Sequence, residues 1–394
     1  MSKQIKIGVI GCGTISNVYL SNITEHYKNV EVVAVADLVL EKAKETAEKY
    51  GIGKVCSVDE LLAISEIELV LNLTIPAAHY SVNMQVLNAG KNVYCEKPLT
   101  LKLEEAKEVV ELAKKKGLIA VSAPDTFLGP GAQTVRAMID KGDIGEPIGF
   151  TANMTCAGHE LWHPSPEFYY KQGGGPMFDM GPYYLTTLVS LLGPIKQISC
   201  FAKKARPVRI INGKDFPTEM PTHYTGLVEF VNGAIGTITM SFDTWKANLP
   251  CCEIYGTKGS VNVPDPNLFA GEIKLFDGMK LKNIIDNYDE VPPVPVLPKL
   301  FAMVTKTAEC EEVKPSLYPS PEDIRTNMRG LGVSDIAQGL IDGRKSRLDE
   351  ELSLHIVEAL NAFEISSQTG KVYEMTTTCQ RPEPMEQGKE LWQV

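Results

Sequence analysis

The hydrophobic pattern of this chain changes once along its length, and the first pattern runs from about residue 4 to residue 122. Short apolar runs rich in valine and isoleucine predict strands over Ile5–Ile10, Val32–Ala36, Leu69–Leu73, Asn92–Cys95 and Leu118–Ser122. Between them, apolar residues at helical spacing predict helices over Glu41–Tyr50, Ala77–Ala89 and Leu103–Lys116. This strand–helix alternation predicts a parallel sheet that is covered by helices on both faces.

Beyond about residue 123 the pattern becomes that of an antiparallel sheet. Alternating residues bounded by turns predict strands over Ile148–Thr155, Ile195–Ala202, Thr222–Phe230, Ala234–Thr244, Cys252–Tyr255 and Ser260–Val263. Helical spacing predicts four helices over Val135–Lys141, Asp179–Leu192, Asp335–Gly343 and Leu352–Thr369. Residues 264–322 hold many of the prolines, so we expect long irregular connections there.

Together the two hydrophobic patterns predict an α/β chain of two domains. Residues 1–123 are expected to form a doubly wound parallel sheet of the Rossmann type, which is the usual dinucleotide-binding fold. Residues 124–394 are expected to form an α+β domain with a large, mostly antiparallel open sheet. A chain of 394 residues is long enough to build two cores.

Composition and charge exclude several classes of partner. The formal net charge is −10 and no lysine- or arginine-rich run occurs, which argues against nucleic acid or an anionic membrane as a main partner. No apolar run has the length of a membrane span, and no signal peptide is recognisable. The nine cysteines are scattered without a CxxC pair, so we expect free thiols in a reduced, cytoplasmic protein.

A glycine-rich turn after the first strand predicts a dinucleotide site. Gly11 and Gly13 begin a G-x-G-x-x-S sequence in which Thr14 and Ile15 open the following helix. The glycines allow backbone N–H groups to approach a pyrophosphate at the helix N-terminus. The second strand ends at Asp37, whose carboxylate can accept hydrogen bonds from the adenosine ribose and would repel a 2′-phosphate. We therefore predict NAD rather than NADP as the cofactor.

The third long strand leads into further candidate cofactor contacts. Ligands of open parallel sheets lie at the carboxyl ends of the strands, so Asn72, Thr74 and Pro76 are expected to border the cofactor. His79 begins the next predicted helix. It could contact a ribose or could cap that helix, and both readings stay open here.

Two further segments resemble a known family. Glu96-Lys97-Pro98 after a buried strand, together with the Gly173–Tyr184 segment, resembles the Gfo/Idh/MocA family of glucose–fructose oxidoreductases and inositol dehydrogenases. The resemblance spans nearly the whole chain and implies a Rossmann domain followed by a sheet domain whose open face mediates dimers or tetramers. It also implies a cis Lys97–Pro98 peptide that aims Lys97 at the nicotinamide, with Glu96 beside the cofactor.

The predicted catalytic cluster consists of Lys97, Asp179 and Tyr183. Family members usually carry a histidine in an Asp-x-Gly-x-x-His sequence, but the matching position here is Tyr184. We expect Tyr183 to accept the hydroxyl proton, with a pKa lowered by Lys97, while Asp179 orients the lysine or the substrate. In an alternative mechanism Lys97 itself is the base, because burial removes water from its ammonium group and lowers its pKa. The alternative roles are structural, with Asp179 as a helix cap and Tyr183 as a core aromatic.

The segment 159–171 is dense in aromatic and polar residues, which is typical of a polyol pocket. Trp162, His163 and Tyr169 are the candidates for substrate contact, with Asp125 after the last Rossmann strand as a weaker one. A structural flap is the alternative reading of the segment. His159 and His163 have no third ligand at suitable spacing, so no metal site is predicted.

The predicted function is NAD-dependent hydride transfer at a secondary hydroxyl of a sugar, glycoside or inositol. Oxidation at C3 of a glucoside is favoured on resemblance alone. One alternative is a glycoside-cleaving enzyme that oxidises, eliminates and reduces again with no net NADH. Another is a sensor of cofactor or sugar that has lost the chemistry. A homodimer or homotetramer through the open sheet face is expected.

Overall fold

The computed structural model describes residues 3–280, 282, 310–313 and 327–388. Its first sheet has five parallel strands in the order β2-β1-β3-β4-β5. These strands are β1 Ile5–Ile10, β2 Val30–Ala36, β3 Leu69–Asn72, β4 Asn92–Cys95 and β5 Ala120–Ser122. They coincide closely with the five predicted ones, because each contains an apolar run that is mostly buried. The predicted parallel sheet is confirmed.

A sixth position in this sheet is marked by a single parallel bridge between Val35 and Val55. When residues 54–56 are counted as the strand beyond β2, the order becomes that of doubly wound dinucleotide-binding sheets. The strand order reverses between β1 and β3, which are hydrogen-bonded neighbours. The crevice at this reversal is where such sheets bind ligands.

Five α-helices pack on the two faces of the first sheet, and they are α1 Thr14–Glu25, α2 Leu40–Tyr50, α3 Val58–Leu62, α4 His79–Asn88 and α5 Leu103–Lys116. The predicted helix over Ala77–Ala89 begins two residues later, because Pro76–Ala78 form a separate 3₁₀ turn. Helices α2 and α5 end at Gly51 and Gly117, both in the left-handed conformation that favours glycine.

The second sheet has nine strands in the order β15-β14-β13-β12-β6-β11-β10-β7-β16, with only β6 and β11 parallel. A separate hairpin joins β8 and β9. The strands are β6 Pro147–Thr155, β7 Ile195–Lys203, β8 Val208–Ile211, β9 Lys214–Pro217, β10 His223–Phe230, β11 Ile235–Ser241, β12 Cys252–Gly256, β13 Gly259–Val263, β14 Ile273–Asp277, β15 Glu311–Val313 and β16 Tyr373–Glu374. The predicted large, mostly antiparallel sheet is confirmed.

The prediction of irregular structure over 264–322 is wrong for β14 and β15, which extend the second sheet. The irregular-structure prediction overlooked Ile273–Asp277 because the segment is short and only its first residue is fully buried. Most of the remaining residues of 264–322 lie outside the described part of the chain.

In the described part of the chain beyond the first sheet, the helices include α6 Pro130–Lys141, α7 Gly175–Leu192, α8 Leu331–Asp342 and α9 Glu350–Thr369. Helix α7 is buried along almost its whole length and begins four residues before the predicted Asp179. Helices α7 and α9 pack against the second sheet, and α9 also packs on α5. The other face of the sheet stays open and exposes Phe201, Leu227 and Ile235.

Helix α8 returns to the N-terminal sheet. Tyr27 donates to the carbonyl of Met328 at 2.6 Å, and Asn22 donates to the carbonyl of Arg329 at 2.9 Å. The segment just before α8 is therefore fixed to the C-terminal half of α1 and to the residues that follow it. The boundary predicted between residues 123 and 124 stays a prediction.

All nine cysteines are free thiols. Within the described residues, no group of three or more His, Cys, Asp or Glu side chains is arranged to hold a metal ion. No helix in that part of the chain combines the length and the apolar character needed to cross a bilayer.

Candidate functional site

The glycine turn after β1 leaves room for an anion at the start of α1. Gly11 has φ +101°, and a Cβ atom there would lie 2.6 Å from the carbonyl oxygen of Leu73. A Cβ on Gly13 would meet no atom within 4 Å. Helix α1 has no side-chain cap and no acidic residue in its first turn. The first N–H groups of an α-helix lack partners within the helix, so this turn fits the pyrophosphate of a dinucleotide.

Asp37 lies beside this turn at the carboxyl end of β2. Its Oδ2 accepts from the backbone N–H of Cys12 at 2.7 Å, and its Oδ1 accepts from that of Val39 at 2.7 Å. Each carboxylate oxygen can accept a further hydrogen bond. Leu38 is fully exposed next to it and provides an apolar surface for a flat base. This corner fits an adenosine whose ribose carries free hydroxyls.

Asn72 and His79 brace the loop after β3. Asn72 donates to Asn83 at 2.9 Å and accepts from the Thr74 hydroxyl at 2.6 Å. The His79 ring lies between the carbonyl oxygens of Pro98 (2.7 Å) and Thr74 (3.0 Å), and burial lowers the pKa of His79. A neutral imidazole can donate to only one of these two carbonyl oxygens, but both ring nitrogens face backbone and the side chain is fully buried, so the geometry favours a structural role for His79 over a ribose contact. Thr74 and Pro76 remain at the rim of the crevice.

Lys97 and Asp179 form a largely buried ion pair that joins the first sheet to helix α7. Lys97 follows β4 in the cis Lys97–Pro98 peptide that the resemblance implied. Its Nζ donates to Oδ1 of Asp179 at 2.8 Å and to the backbone carbonyl of the same residue at 2.6 Å. The lysine and aspartate side chains are 15% and 17% exposed. The carboxylate of Glu96 accepts from the backbone N–H of Lys97 at 3.0 Å and from Tyr19 at 2.8 Å, which fixes the start of this loop.

A histidine that the sequence argument did not assign to the site completes the cluster. The Nε2 atom of His159 lies 3.3 Å from Oδ2 of Asp179, so the carboxylate is held by Lys97 on one oxygen and by His159 on the other. Burial alone would raise the pKa of Asp179, but these two cations outweigh burial and lower the pKa to about 2. Burial alone would lower the pKa of His159, but its hydrogen bond to Asp179 raises the pKa to about 9.

Tyr183 lies one helical turn from Asp179 and faces two cations. Lys97 Nζ is 5.2 Å from the centre of its ring, and the guanidinium of Arg329 is 5.4 Å from it. Arg329 also donates to the Tyr183 hydroxyl at 2.9 Å. The phenol therefore lies beside the lysine as predicted, but its oxygen is already a hydrogen-bond acceptor for an arginine.

Two predicted pKa shifts are wrong in direction. Burial raises the pKa of Tyr183 and outweighs the opposing effects of Lys97 and Arg329, so a phenolate is not favoured. Burial alone would lower the pKa of Lys97, but the Asp179 carboxylate outweighs it and the pKa is raised. Lys97 is consequently an ammonium near neutral pH. The sequence argument considered either the cation or the burial for each group, but not both together.

The segment 159–171 forms an aromatic cluster around His159. The ring centre of Tyr169 lies 4.1 Å from that of His159, and the ring of Trp162 lies 5.1 Å from it. His163 contacts Tyr169 at 5.3 Å, and its Nδ1 accepts from the backbone of Ser165. Trp162 is 66% exposed, whereas Tyr169 is partly buried. The three predicted substrate contacts are therefore neighbours at the edge of the Lys97–Asp179 pair.

Asp125 is not part of this surface. It is fully buried, and its Oδ2 accepts from the backbone N–H groups of Gly330 and Gly332 at the start of α8. The carboxylate therefore ties the start of α8 to the segment that follows β5, and the geometry does not support substrate contact by Asp125.

Sequence reasoning missed two residues of the cluster. The sequence argument treats His159 as a member of the aromatic segment and as a possible metal ligand but not as a partner of Asp179, although the absence of a histidine from α7 is a signal to search for one elsewhere. Arg329 stands immediately before the Gly330-Leu331-Gly332 segment and carried no signal, because 146 residues separate it from Tyr183.

Comparison with known proteins identifies the family of this fold. The model of the Gfo/Idh/MocA oxidoreductase family with an NAD-binding Rossmann fold matches residues 5–123, and that of the Gfo/Idh/MocA C-terminal domain matches residues 132–262. Together they cover more than half of the chain. The chain belongs to the Gfo/Idh/MocA oxidoreductase family. The predicted resemblance, the oxidoreductase class and NAD as the cofactor are thereby confirmed.

Relatives within the Gfo/Idh/MocA family carry dehydrogenase names. Trans-1,2-dihydrobenzene-1,2-diol dehydrogenase of Bos taurus is 27% identical over 268 residues, which are 66% of this chain and 75% of the relative. The scyllo-inositol 2-dehydrogenase (NAD(+)) of Bacillus subtilis strain 168 is 29% identical over 269 residues, 66% of this chain and 74% of the relative. The structure of levoglucosan dehydrogenase with NADH and levoglucosan aligns with a TM-score of 0.75 at 17% identity, covering 95% of this chain and 99% of that one. At this identity the structural likeness shows the fold alone.

Proposed function

We propose that this Gfo/Idh/MocA protein interconverts a secondary alcohol and a ketone of a sugar, glycoside or inositol with NAD as the hydride carrier. The observation that carries the proposal is the buried Lys97–Asp179 pair, which lies at the carboxyl end of β4 in a domain that binds NAD. An ammonium in this position can donate a hydrogen bond to the oxygen of a substrate at the nicotinamide.

Several residues of the first domain are proposed to hold NAD. The turn Gly11–Ile15 would receive the pyrophosphate on the N-terminus of α1, and Asp37 would accept hydrogen bonds from the adenosine ribose. Thr74 and Pro76 border the nicotinamide half. Asn72, His79 and Glu96 are proposed to support these contacts from behind, since their polar atoms are engaged with the protein.

Lys97 is proposed as the acid–base residue. When bound, the nicotinamide accepts or gives the hydride at its C4 atom. In reduction, Lys97 would donate a proton to the oxygen of the carbonyl group that receives the hydride, leaving Lys97 as a neutral amine. In oxidation, the neutral amine of Lys97 would take the proton of the hydroxyl group whose carbon gives up the hydride. Because Asp179 favours the ammonium, the resting site is prepared for reduction, and oxidation improves as the pH rises.

Tyr183 is proposed as a second hydrogen-bond donor to the same substrate oxygen. Its own oxygen accepts from Arg329, which leaves the phenolic proton available for a substrate. A neutral Tyr183 agrees with the direction of its pKa shift. This role replaces that of the proton acceptor that the sequence suggested.

The aromatic cluster beside the ion pair supports a cyclic polyol as the substrate class. Flat faces of Trp162 and Tyr169 suit the C–H faces of a sugar ring, and His163 can bond a hydroxyl. The names of the relatives, which include a cyclic diol dehydrogenase and an inositol dehydrogenase, agree with this class. Oxidation at C3 of a glucoside remains the favoured specific case.

Two broader predictions accompany this function. The open sheet face, with Phe201 at 79% and Leu227 at 55% exposure, is proposed to form the interface of a homodimer or homotetramer. A cytoplasmic location stays a prediction.

The test of this function is the appearance of NADH absorbance when purified protein is mixed with NAD and a panel of inositols, aldoses and simple glucosides. NADH formation with one class supports the proposal and identifies the substrate class. Cleavage of a glycoside without net NADH would favour the oxidising, eliminating and reducing alternative. Tight NAD binding without any reaction would favour the sensor.

A further inference from the structure

The histidine beside Asp179 is held by a built structure rather than by chance contact. The His159 side chain is only 7% exposed. Its ring packs against Tyr169 at 4.1 Å and against Phe242 at 4.3 Å, measured between ring centres. Its backbone N–H donates to the hydroxyl of Tyr170 at 3.0 Å. Both the position and the rotation of the imidazole are thereby fixed.

A buried ion cluster of Glu160, Arg209 and Asp243 fixes the loop that carries His159. The Tyr170 hydroxyl donates to Glu160, the residue after His159, and Glu160 pairs with Arg209 at 3.0 Å. Arg209 comes from the β8–β9 hairpin, is almost fully buried, and also pairs with Asp243 after β11. Two separate elements of the second domain therefore converge on the loop that presents His159. Such a network is costly to bury unless it is well paired, so it indicates that the loop geometry matters.

We propose that His159 is a positioning residue of the catalytic site, which fixes Asp179 through its second oxygen and shares that carboxylate's charge with Lys97. The inference rests on the proposed function of Lys97 as the acid–base residue. His159 stands 20 positions before Asp179 and on a different element, so it is not the helix histidine found in relatives but a histidine brought to the same carboxylate from the opposite side.

The charge of His159 has a direct consequence for Lys97. With two cations on one carboxylate, Asp179 stabilises the Lys97 ammonium less than it would alone. Below about pH 9, where His159 is charged, Lys97 is therefore a stronger acid toward a substrate carbonyl oxygen, which favours ketone reduction. The groups able to ionise that face the His159 ring are the Asp179 carboxylate, the Cys156 thiol at 3.8 Å and the Tyr169 phenol. Burial raises the pKa of Tyr169, so Asp179 is the anion that His159 meets.

The variant His159→Gln separates the charge from the hydrogen bond. Glutamine retains an N–H donor for Asp179 but carries no charge. We expect kcat for ketone reduction to fall by about three- to tenfold below pH 9, and this difference to disappear above pH 9, where the native histidine is itself neutral. The Kd of NAD should stay unchanged. His26→Gln is the matched control, since His26 lies at the end of α1 beside Glu25, and it should leave the pH profile unchanged. An unchanged kcat for ketone reduction below pH 9 in His159→Gln, or an equal fall in His26→Gln, would overturn the inference.

A measurement without turnover keeps the inference distinct from the proposed function. The ¹⁵N resonances of the six histidines can be followed by NMR against pH, and that of His159 is recognised by its loss in His159→Gln. We expect His159 to titrate near pH 9, and near the ordinary histidine value in Asp179→Asn. Titration of His159 near its ordinary value in the unmodified protein would overturn the inference. If that protein forms no NADH with any substrate, the proposed function fails, and this titration decides the pairing of His159 with Asp179 by itself.

Discussion

The ammonium group of Lys97 donates two hydrogen bonds to a single residue, Asp179. One goes to the backbone carbonyl at 2.6 Å and the other to the side-chain Oδ1 at 2.8 Å. Among the described residues, the hydrogen bonds of Nζ end there, so the third N–H remains for a substrate oxygen. The ion pair thus aims the remaining proton, and this is the structural basis of the mechanism proposed above.

Replacing Lys97 by alanine should abolish turnover and leave NAD binding intact. The acid–base group is lost, so kcat should fall by about 10³-fold or more. The pyrophosphate and adenosine contacts are made elsewhere, so the Kd of NAD should stay within about twofold. Turnover by absorbance and NAD affinity by calorimetry give the two readings. A variant that loses NAD affinity would make Lys97 a cofactor residue and refute its assigned role.

Removing the phenolic oxygen of Tyr183 should reduce kcat without affecting the cofactor. We expect Tyr183→Phe to lower kcat by about 10- to 100-fold, since one hydrogen bond to the reacting oxygen is lost. The neighbouring Tyr184 provides a matched control, because its hydroxyl points to Asp265 at 3.4 Å instead. Tyr184→Phe should retain kcat within about twofold. Equal effects of the two substitutions would assign Tyr183 to the core.

The carboxylate of Asp37 should determine cofactor choice. Asp37→Ser removes the ribose acceptor and the charge that repels a 2′-phosphate, so the Kd of NAD should rise by about tenfold while the preference for NAD over NADP falls. Asp59→Asn, in the first turn of α3, is the control for a general loss of negative charge. Fluorescence titration with both nucleotides measures the ratio. An unchanged ratio in Asp37→Ser would exclude this residue from nucleotide selection.

The buried imidazolium of His159 should make its stabilising effect dependent on pH. Its folded-state pKa of about 9 lies above the ordinary value of about 6.5, so the contribution is fully present below about pH 6.5 and is lost as the pH rises through 9. The free energy of unfolding should therefore be lower in His159→Gln than in the unmodified protein, by on the order of 3 kcal/mol at most at pH 6. Urea unfolding at pH 6 and pH 9.5 measures this difference. A difference that grows with pH would contradict the ionic pairing.

The fold was predictable because its signals are local. The apolar runs of β1–β5 differ little from the observed strands, and the glycine turn and Asp37 follow their strands directly. Strand β14 was missed because only Ile273 in it is fully buried, so the alternation that marks a half-buried strand is faint.

The site was predictable only in part, because its chemistry depends on distant contacts. Lys97 and Asp179 stand out by their motifs, whereas Arg329 meets Tyr183 only after the chain has returned along α8. The directions of the pKa shifts also require burial and partners together. For Tyr183 burial outweighs the nearby cations, and for Lys97 the partner outweighs burial. Neither balance can be read from spacing.

The most direct test of the central claim is the transfer of deuterium from a ring carbon to NAD. Inositols, aldoses and glucosides deuterated at their carbinol carbons would be incubated with the protein and NAD, and the nucleotide would be analysed by mass spectrometry. The account predicts that NADH accumulates with one substrate class and carries a single deuterium, and that Lys97→Ala gives none. NADH without deuterium, or no deuterated nucleotide from any of these substrates, would contradict it.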